Sequence, residues 1–206
     1  MVMHAARQAR WAGPVLALAV SAACGGPSAT PASTVAAPPT GTAQLKPEYD
    51  QTGKLTKIEY DRNNDGKPDA WGYMDGSRVV RVEVDENGDG QVDRWEFHRP
   101  DAAPGAPVAG VDATVERIER ATKFDGKVNR KEFFDKGALV RVEEDTDGDD
   151  RTDKWETYEN GSLRMTALDT SGRGTADRRL LYNADGSFDH IEADPSDSGT
   201  FTPVKP

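Results

Sequence analysis

Residues 82–97 read VEVDENGDGQVDRWEF, and the centre and the flanks of this stretch follow different rules. In the centre, Asp85, Asn87, Asp89 and Asp93 place side-chain oxygens at positions one, three, five and nine of a loop whose sixth residue is Gly90. Before it, Val80, Val82 and Val84 alternate with Arg81 and Glu83; after it, Trp95 and Phe97 alternate with Arg94 and Glu96. A period of two belongs to a strand, because successive side chains point to opposite faces. The stretch is therefore expected to be strand, acidic loop, strand.

The same unit recurs along the chain. Asp61, Asp85, Asp145 and Asp169 open loops one, two, four and five, at spacings of 24, 60 and 24 residues. Loop three is a degraded copy opened by Ala121, which keeps Asp125, Gly126 and Asn129. A Pro/Ala/Gly insertion at residues 99–111 accounts for the one irregular spacing, and Asp194 opens an eroded sixth loop. Ile58, Val82, Ile118, Val142, Thr166 and Ile191 stand three places before the loops, each followed by Glu59, Glu83, Glu119, Glu143, Ala167 or Glu192. One apolar face and one charged face are expected, with Arg94, Arg130, Lys154 and Arg178 pairing across to the glutamates. Thr52-Gly53, Asp75-Gly76, Lys136-Gly137, Asn160-Gly161 and Asp185-Gly186 mark tight turns at the opposite hairpin ends.

This repetition predicts an all-β chain, an up-and-down antiparallel meander of 24-residue hairpin repeats with about eleven or twelve strands. A sheet that large tends to curl, so the expectation is a rolled sheet or barrel with Trp, Tyr, Phe, Ile and Val inside; a two-layer sandwich is the alternative.

The loops carry the chemistry. Loop one offers Asp61, Asn63, Asp65 and Asp69 side chains and the Lys67 carbonyl. Loop two offers Asp85, Asn87, Asp89 and Asp93 with the Gln91 carbonyl, and loop four Asp145, Asp147, Asp149 and Asp153 with the Arg151 carbonyl. Six to eight oxygens at flexible distances suit Ca²⁺, whereas Mg²⁺ demands a stricter octahedron. In loop four Asp150 stands where the others have the glycine of the sharp turn, which puts that turn in question. Lys123 in loop three, and Ser171 and Arg173 in loop five, occupy ligand positions, so those copies are expected to hold no ion. Asp, Asn and Gly also favour turns on their own account, but turn propensity does not require Asp at positions one, five and nine in three loops. The loops of one meander share a rim, about 10 Å apart, so uncompensated carboxylates there repel.

The pattern D-x-[ND]-x-D-G-x-x-D resembles the loops of thrombospondin type 3 repeats and of FG-GAP hairpins, in which strands flank the ion. Loop two is also similar to an EF-hand loop through Glu96, although strand alternation puts Glu96 beside Arg94 rather than on an ion.

The N-terminus has Arg7 and Arg10 before a short apolar run from Trp11 to Ala23, the form of an export signal. Ser21-Ala22-Ala23-Cys24 resembles the lipobox of bacterial lipoproteins, with Ser21 where an aliphatic residue is usual. The resemblance implies acylation of Cys24, the single cysteine of the 206 residues, and Gly25 after it implies transfer to an outer membrane. Residues 25–44 are nearly all Gly, Pro, Ala, Ser and Thr and read as a tether spanning roughly 25 Å. The expected organisation is thus signal 1–23, lipidated cysteine and tether 24–44, repeat domain 45–194 and tail 195–206.

A formal charge of −10 argues against nucleic acid. The histidines are His4, His98 and His190; no serine or cysteine nucleophile has an adjacent base, and His98 reads as a surface residue beside the insertion. These features predict an exported cell-envelope protein anchored in a membrane through lipid. Its calcium-stabilised domain acts as a structural or binding module toward an envelope protein or polysaccharide rather than as an enzyme. The alternative is a surface carbohydrate-active enzyme using paired carboxylates.

Overall fold

The computed structural model describes residues 44–100 and 112–205. The signal segment, Cys24, the tether up to residue 43 and residues 101–111 of the insertion lie outside the described residues. Within them the chain forms β1 (Gln44–Tyr49), β2 (Leu55–Asp61), β3 (Ala70–Asp75), β4 (Arg78–Val84), β5 (Arg94–His98), β6 (Val115–Arg120), β7 (Arg130–Asp135), β8 (Ala138–Glu144), β9 (Lys154–Glu159), β10 (Ser162–Leu168), β11 (Arg178–Tyr182), β12 (Phe188–Ala193) and β13 (Thr202–Pro203). They make one antiparallel sheet in sequence order from β1 to β13. The meander is as expected, with thirteen strands rather than eleven or twelve. The additional pairing comes from the two ends: Gln44 lies in the segment read as tether, and β13 lies in the segment read as tail.

The sheet does not close into a barrel, and it is not a sandwich. Among the described residues each strand touches only its neighbours in sequence, and β1 and β13 are free edges. β1 is exposed throughout and carries Lys46 and Pro47, which discourage pairing with another chain.

The expected split into an apolar and a charged face is also corrected. Register sets Lys46, Glu59, Trp71, Glu83, Trp95, Glu119, Lys131, Glu143 and Trp155 side by side, so the tryptophans share a face with the glutamates. In the next row of that face arginines stack on aromatic rings. Arg81 lies over Tyr73 at 4.2 Å, Arg117 over Phe97 at 4.4 Å and Arg141 over Phe133 at 4.0 Å. Each also pairs with the glutamate two residues on, at 3.0, 3.0 and 2.7 Å. The other face alternates Ile58, Val82, Ile118 and Val142 with Glu96, Glu132 and Glu156, which pair with Arg94, Arg120, Arg130 and Lys154. Long side chains thus cover apolar stems on both faces, which lets an open sheet bury enough surface without a second layer. Its small core, Val115, Ile118 and Phe134 with Leu139 against them, lies on the second face in β6–β8.

The glycine turns hold a regularity the alternation concealed. Lys136-Gly137 and Asn160-Gly161 both have positive φ at each central residue (51° and 82°, 51° and 78°), the conformation that matches strand twist in a two-residue turn. After Asp75 the two-residue turn is Gly76-Ser77, one place later than the expected Asp75-Gly76. Register then slips by one residue in β2, β4, β6, β8, β10 and β12. Val80 is such a bulged residue, so Val79 rather than Val80 faces Met74. A bulge in each repeat adds twist.

Candidate metal centres in the acidic loops

The loops lie on one rim, joined by a main-chain ladder. The N–H of Asp93 donates to Val84 O at 2.9 Å, and its carbonyl accepts from Ala121 N at 2.8 Å. Asp69, Asn129, Asp153 and Asp177 make the same two bonds with their own neighbours. The ladder draws positions one and nine into the sheet edge: Asp61, Asp69, Asp85, Asp93, Asp145 and Asp177 are all buried.

In loops one, two and four the position-one carboxylate clamps the turn. Asp61 accepts from Asn64 N at 2.6 Å and Gly66 N at 2.9 Å, and Asp85 accepts from Gly88 N and Gly90 N at 2.6 and 2.7 Å. Asp145 does the same with Gly148 N at 2.6 Å and Asp150 N at 2.9 Å. Both donors sit in the left-handed region, at φ 60° and 89° in loop one and 90° and 67° in loop four. Asp150 therefore does not distort loop four, since aspartate tolerates that conformation and supplies the same N–H. Position nine holds the other side of the turn, with Asp69 Oδ2 accepting from Arg62 N at 2.6 Å and Asp153 Oδ2 from Thr146 N at 3.0 Å.

Positions three and five are exposed. Asn63 Oδ1 accepts from Asp65 N at 2.9 Å, and Asp65 Oδ1 from Lys67 N at 2.8 Å; Asn87, Asp89 and Gln91, and Asp147, Asp149 and Arg151, repeat the pattern. These bonds fix the peptide units of Lys67, Gln91 and Arg151 beside position five. In loop four one oxygen each from Asp145, Asp147 and Asp149 lies within 4.8 Å of the others, a group that can hold a metal ion. In loops one and two the asparagine amide bridges instead, Asn63 Nδ2 to Asp65 at 3.2 Å and Asn87 Nδ2 to Asp89 at 3.1 Å.

Loops three and five satisfy themselves. Phe124 N bonds Ala121 O at 3.0 Å because no carboxylate stands at position one. In loop five the Ser171 hydroxyl and the Gly174 N–H bond Asp169, at 3.0 and 2.5 Å. Burial raises the Asp169 carboxyl, but the N–H groups of Gly174 and Arg173 and the Ser171 contacts outweigh it and hold it at about 2. Asp145 is likewise raised by burial and lowered further by the Gly148 and Asp150 N–H groups and the Lys123 ammonium, for a net downward shift. Lys123 reaches from loop three onto loop four, where its Nζ lies 3.0 Å from the point a Cβ on Gly148 would occupy.

Glu96 forms an ion pair with Arg94 on the strand and is not part of loop two. His98 departs from its expected place on the surface. Its side chain is 6% exposed, with Nδ1 2.8 Å from Thr114 Oγ1. Two site features escaped the sequence reading: the left-handed residue at position four (Asn64, Gly88, Gly148, Gly172) and the threonine at position two (Thr122, Thr146, Thr170). Both recur in register with the aspartates.

No protein-family model and no curated protein matches the chain. Among solved structures, the accessory secretory protein 1, 2 and 3 structure from Streptococcus pneumoniae is similar over 64% of this chain and 20% of that one, at 15% identity and a TM-score of 0.33. That likeness is too slight to bear on fold or function.

Proposed function

We propose that this is a lipid-anchored cell-envelope protein whose open sheet is stapled along one rim by Ca²⁺ in loops one, two and four, and which serves as a structural or binding module. The observation that carries the reading is the convergence of Asp145, Asp147 and Asp149 oxygens in loop four. Oxygen-only donors in loops with adjustable side chains favour Ca²⁺ over Mg²⁺. The ion would neutralise the acidic rim, whereas the faces are already balanced by their own arginine–glutamate pairs. An anchored, two-faced sheet suits an envelope protein or a polysaccharide as partner, and recovery of that partner from solubilised envelope should depend on calcium.

Extracellular-type calcium sites bind at roughly 0.1–1 mM, and a site held at 100 times its dissociation constant adds about 2.7 kcal/mol. Melting temperature should therefore rise between EDTA and millimolar Ca²⁺, with a change in Trp71, Trp95 and Trp155 emission. Equal melting curves would remove the ion's structural role. Cys24→Ser should release the protein from the membrane fraction or leave the precursor unprocessed, whereas unchanged fractionation and mass would sink the anchor.

A further inference from the structure

Position two of the loops governs an oxygen at position nine. In loops three, four and five position two is threonine. Thr122 Oγ1 donates to Asn129 Oδ1 at 3.0 Å, Thr146 Oγ1 to Asp153 Oδ1 at 2.7 Å, and Thr170 Oγ1 to Asp177 Oδ1 at 2.7 Å. In loop one position two is Arg62, and Asp69 Oδ1 has only the Asn63 amide at 3.5 Å. Loop two has Glu86, whose carboxylate is turned away to Arg94 and Arg120 at 3.1 and 3.2 Å.

Asp93 is consequently left in an unusual state. It is 1% exposed, its Oδ2 is engaged by the Glu86 N–H at 3.1 Å, and its Oδ1 is buried with no hydrogen-bond partner among the described residues. A buried carboxyl oxygen without a partner is costly, and a cation is the partner that offsets the cost most fully. Asp85, Asn87 and Asp89 stand in the same loop to complete an oxygen shell.

We propose that loop two is the tightest cation site of the repeat, and that a threonine hydroxyl at position two lowers affinity elsewhere by occupying the position-nine oxygen the ion would take. The inference rests on the calcium reading above and adds to it a residue that grades the copies. Glu86 is absent from the ligand set; it acts by leaving Asp93 Oδ1 open.

The test compares Glu86→Val with Glu86→Thr by calorimetric Ca²⁺ titration of the purified protein. Valine and threonine have the same shape, and both remove the Glu86 charge, so the pair isolates the hydroxyl. The tightest site should be about fivefold weaker in Glu86→Thr than in Glu86→Val, the effect of roughly one hydrogen bond. Thr146→Val, which leaves loop two untouched, should tighten the loop-four site by a similar factor. Asp93→Asn should abolish the tightest site. Equal affinities in the Val and Thr variants, as expected if Asp93 Oδ1 holds only water, would overturn the role of position two while leaving calcium binding intact. An unchanged tightest site in Asp93→Asn would overturn the ranking of loop two. Absence of saturable Ca²⁺ binding to the unsubstituted protein would overturn the calcium reading itself.

Discussion

The aspartates of a loop are chemically alike in sequence and divided in structure. Those at positions one and nine are drawn into the rim and spend oxygens on backbone N–H groups, while those at three and five stay in solvent. The division explains why turn-forming and ion-binding readings of the same residues are compatible, since each carboxylate oxygen accepts more than one partner. Asp169 shows the turn-forming role alone. Its carboxyl is held at about 2 in the fold against an ordinary 3.8. A depressed carboxyl contributes stability that is present above the unfolded value and lost as pH falls through the folded one. Stability should therefore decline from about pH 4 toward pH 2, and Asp169→Asn should show a shallower decline across that window in chelated protein. Denaturant melts at several pH values measure it; parallel profiles for the two proteins would remove Asp169 from the linkage.

At the scale of the strand, alternation identified the strands but misassigned their faces. Glu59 and Trp71 lie opposite each other only because of the length of the loop between them, which single-strand periodicity does not encode. The bulge at Val80 was hidden for a related reason: three valines at alternate positions look like one unbroken face, and only the partner strand reveals that the register slips. The order of elements was legible because repetition places turn residues at fixed intervals, and so were the candidate loops. Closure was not legible, because it was inferred from a need to cover an apolar face, and arginine and glutamate stems meet that need in place. Packing is consequently concentrated in a few residues. Val142, 1% exposed between Glu132 and Glu156, should cost roughly 2 kcal/mol when cut to alanine. Val204, 49% exposed beside the last strand, should cost less than about 0.5 kcal/mol. Urea unfolding compares them, and equal effects would contradict a core centred on the middle strands.

At the scale of the whole molecule, the described strands touch only their neighbours in sequence, which makes stability a sum of hairpin and interface terms, as in other repeat architectures. Under the proposed reading, ions along one rim would staple adjacent terms, and the repeat supplies its own controls. Loops one, two and four keep their oxygens, and Asp150 preserves the loop-four turn; loop three has Ala121 and Lys123 at ligand positions, and loop five turns Ser171 and Arg173 onto its own aspartates. Calorimetric titration of chelated protein with Ca²⁺ tests this most directly. The expected stoichiometry approaches three, the number of intact loops, reduced by one in Asp89→Ala and unchanged in Asp125→Ala. A stoichiometry lowered by Asp125→Ala, or untouched by Asp89→Ala, would contradict the assignment of ions to loops.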